Sequence, residues 1–240
     1  MVKIKLADIS IELHNRYEDL EILCRGYETQ EPACMALQVS DREIEEERRS
    51  QSYAFSDGYL ETICLYRSLA LEMLQHDVFI MHASVLEVNG EGYAFLAPSG
   101  TGKTTQTRLW LEYFGSSARV INGDKPLIRM VPEGDGWKFV AYGTPWCGKE
   151  GMGCNASVPL KALFLVERAA TPSCERADEE NAVDRIFRQL LLPEDIHQMD
   201  ALLTMADRLI EAVPVYTLRC NMNTESVIAA YEAARQIPID

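Results

Sequence analysis

Between residues 97 and 105 the chain reads Ala-Pro-Ser-Gly-Thr-Gly-Lys-Thr-Thr, a GxxxxGK[ST]-type loop with alanine in place of the first glycine. Such a loop constrains the fold more than any other segment, because it works only where a strand delivers it and a helix leaves it. Backbone N–H groups then converge on one concavity, and the helix N-terminus adds partial positive charge. The flanks meet that demand. Glu91–Ala97 is a short, mostly apolar run rising from an Asn89-Gly90 turn and reads as a buried strand. In Thr105–Phe114, Leu109, Tyr113 and Trp110 share a helical face before Gly115 stops the helix. Ala97 suits the turn provided its φ stays negative. The segment therefore predicts binding of a nucleoside triphosphate by Pro98, Ser99, Gly100, Thr101, Gly102, Lys103, Thr104 and Thr105. Lys103 would reach the β- and γ-phosphates, and Thr104 would join the Mg²⁺ shell.

Composition narrows the partners. A formal net charge of −14 with scattered Lys and Arg argues against nucleic acid, whose phosphates demand clustered cations. No apolar run approaches membrane-spanning length, and Met-Val-Lys-Ile-Lys-Leu-Ala-Asp lacks the apolar core of a secretory signal, so a cytoplasmic protein without a membrane partner is expected. Seven cysteines with no CxxC pair read as free thiols. At 240 residues and 47% hydrophobic content, the chain is long enough for one full core and a small extra lobe.

Alternation over residues 2–13 predicts two short strands. A brief helix at Tyr17–Cys24, a strand at Cys34–Val39 and a charge run at 41–49 complete an N-terminal α+β lobe over 1–52. The remainder, 53–240, is predicted as one α/β core. It begins with an amphipathic helix over Asp57–Gln75, followed by strands at Val78–Met81 and Ser84–Val88. After the loop helix come a strand at 119–121 and a hairpin over 127–131 and 137–142. Leu160–Val166 is the most hydrophobic strand. Helices are predicted over Asp178–Leu192, Ile196–Ala212 and Thr224–Gln236, with a strand at Val215–Leu218.

Three further segments bear on chemistry. Val120-Ile121-Asn122-Gly123-Asp124 is an apolar strand ending in an acid, Met81-His82-Ala83-Ser84 sets a histidine ahead of the loop strand, and Tyr142-Gly143-Thr144-Pro145-Trp146 is a glycine-containing loop at a strand end. The order of a strand with histidine, then SGTGKTT, then an apolar strand with aspartate, then GTPW resembles HPr kinase/phosphorylase and its smaller relatives. These belong with phosphoenolpyruvate carboxykinase in one P-loop superfamily. The resemblance covers about residues 78–168.

It implies a P-loop-containing mixed sheet flanked by helices. It also implies ATP and Mg²⁺ as ligands, homo-oligomers, and transfer of the γ-phosphoryl group to a hydroxyl of a protein, a peptide or a small metabolite. Such kinases carry an Asp-Asp pair where this chain has Gly123-Asp124. The resemblance thus assigns Asp124 to the metal and leaves the general base to Asp124 or His82. Lys103 and Arg168, the latter at the end of the 160–166 strand, would absorb charge on the transferring group. His82 as a buried structural histidine and Arg168 as a rim charge are the plain alternatives. Trp146 and its glycines suit a cover over a ligand, or else a packed turn. Two other functional readings stand beside the kinase: a non-catalytic ATP-binding sensor, and a carboxykinase-like or other P-loop ATPase.

Overall fold

Alternation along two neighbouring strands divides the interior. In β6 (Glu91–Leu96), Tyr93 and Phe95 point to one side and Ala94 and Leu96 to the other. In β10 (Ser157–Arg168), Ala162, Phe164 and Val166 oppose Leu163 and Leu165 in the same way. Strands buried on both faces carry near-continuous apolar runs, as these do. The computed structural model describes residues 1–235 as a mixed α/β structure, a curled mixed β-sheet flanked by helices.

Along the sheet the strands run β4 (Val78–Ile80), β8 (Leu127–Glu133), β9 (Gly136–Tyr142), β10, β6, β5 (Ala83–Val88) and β7 (Ala118–Asn122). The long β10 also pairs in parallel with β12 (Val215–Cys220), which carries β11 (Ser173–Arg176) on its far edge. Helices α4 (Lys103–Phe114) and α7 (Glu225–Arg235) cover the Tyr93–Phe95 face, and α5 (Glu179–Phe187) and α6 (Ile196–Ala212) cover the other. β6 runs parallel to β10, and β7 runs antiparallel to β5, as β6 does. The carboxyl ends of β6, β7, β10 and β12 and the start of β5 therefore share one edge. That edge holds every candidate site residue.

The N-terminal segment forms a separate three-stranded sheet, β1 (Val2–Leu6), β2 (Ile9–His14) and β3 (Met35–Gln38), with α1 (Asp19–Leu23) and α2 (Asp41–Ser50). The 41–49 charge run is helical because Ser40 and Glu43 form a reciprocal capping box. Helix α3 (Asp57–Glu72) packs Leu60, Leu65, Tyr66 and Leu69 into the core of this lobe, where Val78, Leu127 and Trp146 of the larger sheet also reach.

Several expectations need correction. Helix α5 stops at Phe187 rather than Leu192, because the chain leaves it to bridge Leu190 to Met81 and to bond Gln189 O to His82 N. Strand β11, four residues with no fully buried side chain, was not anticipated. In α4 the buried face is Gln106, Thr107 and Trp110, while Tyr113 is exposed. The end of the last predicted helix, Gln236, lies outside the described residues. Among those residues, no helix is long and apolar enough to cross a membrane.

Candidate functional site

The 97–105 loop leaves β6 through Ala97, which is buried and keeps a negative φ, and enters α4 through Gly102. Gly100 (φ +77°) and Gly102 (φ +137°) hold backbone conformations that a side chain would strain. Helices α2, α3, α5 and α6 are each capped by a side chain, Ser40, Ser56, Asp178 and Asp195 respectively. No side chain caps α4. The hydroxyls of Ser99, Thr104 and Thr105 have no partner among the described residues either, so the first turn of α4 presents donors without acceptors.

Lys103 does not extend into solvent. Its buried Nζ donates to Ala97 O at 2.6 Å and lies 3.2 Å from His82 Nε2. His82 Nε2 is in turn 3.2 Å from Asp124 Oδ1. Residues 82, 103 and 124, remote in sequence, thus meet at one point. Burial lowers the Lys103 pKa, and the Asp124 charge opposes that shift. At Asp124 burial pushes the carboxyl upward, but the His82 hydrogen bond and the charges of His82, Lys125 and Lys103 outweigh it, leaving the group below its ordinary value.

Asn122 positions Asp124. It is fully buried, and its Oδ1 accepts the backbone N–H of Asp124 (2.9 Å) and of Lys125 (2.8 Å), an Asx turn that aims the aspartate off the strand end. Its Nδ2 donates to Thr144 Oγ1 at 2.9 Å, and Thr144 donates to Lys125 O at 3.0 Å. Tyr66 adds a hydrogen bond to the same carbonyl at 2.6 Å. Asn-Gly-Asp announced a turn in the sequence; the buried anchors Thr144 and Tyr66 left no such signal.

Gly123, ahead of Asp124, is crowded by backbone. A Cβ there would lie 3.1 Å from Met152 O and 3.2 Å from Cys147 O, and the Gly123 N–H already donates to Met152 O. Trp146 is no cover for a ligand: it is buried, stacks on Tyr66 with centroids 4.2 Å apart and donates Nε1 to Thr62 O.

Arg168 sits on the other side of the loop. Its guanidinium donates to the carbonyls of Thr101 (3.0 Å) and Gly100, so it braces the loop from outside rather than pointing into the concavity. Next to it, Glu167 accepts from Arg185 at 2.7 Å and faces Arg219 at 3.7 Å. Arg185 was not picked out in the sequence, because an arginine on a charged helix face carries no spacing signal. Comparison with protein-family models and with curated proteins finds no match for this chain.

Proposed function

We propose that this chain is an ATP-dependent kinase, built on a P-loop, that transfers the γ-phosphoryl group to a hydroxyl acceptor. The observation that carries the reading is the uncapped first turn of α4 with Lys103, His82 and Asp124 gathered beside it. An uncapped helix start behind a glycine loop is an anion site, and Lys103 is close enough to exchange Ala97 O for a phosphate oxygen. The donor set suits a hard cation, since the Thr104 hydroxyl and the ionised Asp124 carboxylate both offer oxygen. No group of three or more His, Cys, Asp or Glu side chains that could hold a metal occurs among the described residues, and an ion here would complete its shell from phosphate and water. Bound Mg²⁺ would neutralise phosphate charge. Around it, Lys103 holds the terminal phosphates, and Asp124 or His82 takes the proton of the acceptor hydroxyl.

A second reading, a nucleotide sensor without transfer activity, is favoured by glycine at the crowded position 123, which leaves Asp124 as one carboxylate for two duties. Wild-type protein that binds ATP but releases no γ-phosphate under any acceptor would be the sensor. Both readings require Lys103. Lys103→Ala should weaken Mg-ATP binding about 100-fold or more, read by calorimetry, consistent with losing a charge-assisted contact in a partly buried site. Undiminished affinity would remove the loop from nucleotide binding and both readings with it.

A further inference from the structure

An open cleft of about 490 Å³ lies between residues 98–101 of the loop and the β10–α5 corner, walled by Glu167, Arg168 and Arg185. Lys103, His82 and Asp124 do not line it; it shares residues 98–101 with the loop and adds the arginines of the β10–α5 corner. Arg185 is mostly buried and rigidly placed: Nη1 bonds Glu167 and Nη2 bonds Val166 O at 3.1 Å. Its remaining guanidinium donors have no protein partner among the described residues. Glu167 pairs with Arg185 and also faces Arg219, which bonds Glu175 on its other side, so two arginines, Arg168 and Arg185, stand against one carboxylate in the lining. In a chain of net charge −14, this is a local cationic pocket beside the loop.

Resting on the kinase reading above, we propose that this cleft binds the phosphoryl acceptor, and that the acceptor is a small molecule bearing a carboxylate or phosphate near its hydroxyl. The anionic group sits on the open donors of Arg185, and the hydroxyl reaches over Pro98 and Ser99 toward the terminal phosphate. Its oxygen forms a bond to γ-phosphorus as the bond to the β,γ-bridging oxygen breaks. The electron pair leaves with ADP, and the hydroxyl proton passes to Asp124 or His82. The volume is within the range of small-molecule sites, and the serine peptides in the test below stand for the protein alternative. Through the bonds of Arg168 to Gly100 and Thr101, the wall of the acceptor cleft is also the brace of the loop.

The test uses the full chain with Mg²⁺ and γ-labelled ATP against matched acceptors: glycerate and glycerol, ribose 5-phosphate and ribose, and serine peptides. Label should pass to an anionic member with kcat/KM about tenfold or more above its neutral counterpart, the worth of one charged hydrogen bond. Arg185→Gln should raise the KM for that acceptor about tenfold while the KM for ATP moves by less than about twofold, and Arg185→Lys should recover part of the loss. The paired-acceptor comparison needs no variant, so misfolding of Arg185→Gln would not shelter the idea. Preference for the neutral member or for a serine peptide overturns it. So does a parallel rise in both KM values, or transfer to no acceptor while ATP still binds. Failure of the wild type to bind ATP in calorimetry overturns instead the kinase reading on which it stands.

Discussion

Asp124 is a largely buried carboxyl that nonetheless stays ionised more readily than a free one. Burial works against the charge, and the histidine at 3.2 Å with two nearby lysines works for it and prevails. A folded-state pKa below the unfolded one means that Asp124 contributes stability above the ordinary value of 3.8 and that this contribution fades as pH falls through the folded value. The window is acidic, below about pH 5. Denaturant midpoints should therefore show wild type more stable than Asp124→Asn at pH 5, with the gap narrowing toward pH 3. A gap that stays constant over that range would show that the carboxylate gains nothing from its neighbours. On the proposed kinase function, the same substitution should lower phosphoryl transfer by about a hundredfold or more, since it removes a charge from beside Lys103 and His82.

Between single residues and the whole sheet, the decisive element is the 147–153 segment, which folds back over the end of β7. Its carbonyls at Cys147 and Met152 crowd Gly123, and the neighbouring Gly143 runs so close to Cys154 O that no side chain fits there. Gly123→Asp, which would place two acids in sequence at 123–124, should therefore not raise the transfer activity proposed above. It should cost about 1–3 kcal/mol in urea unfolding, because the added Cβ would press on the carbonyl oxygens of Met152 and Cys147. A stable, faster variant would mean that the segment yields easily and that the second carboxylate is merely missing. Elements of this kind mark the limit of what the sequence disclosed. Most strands and helices were legible from period and punctuation, and the loop with His82 and Asp124 from motif order. β11 was not, because an edge strand without a fully buried face has no alternation to read. The end of α5 was missed because a tertiary bridge to Met81, not a breaker residue, stops it. Arg185 escaped, and the anchoring role of Thr144 within the singled-out 142–146 segment did too, because their partners lie far away in the chain.

At the scale of the molecule, two sheets are joined through the same neighbourhood that carries the site. The N-terminal core draws in Val78, Leu127 and Trp146 from the larger sheet, and α3 lies between the two. Trp146 is the central pin, stacked on Tyr66 and bonded to Thr62 O, while Tyr66 bonds the carbonyl next to Asp124. The lobe is thus coupled to the sheet edge that carries the candidate site by packing and by one hydrogen-bonded turn. Lobe and core should therefore unfold together in the wild type, in a single calorimetric transition. Trp146→Ala removes the stacked ring and opens a cavity, which costs about 3–5 kcal/mol, and should split that transition in two. Trp146→Phe keeps the stack but leaves Thr62 O without its indole donor, so it should cost less and preserve the single transition. Trp146→Ala melting in one step would place the coupling elsewhere, in the α3 contacts to Val78 and Leu127 that the substitution leaves intact.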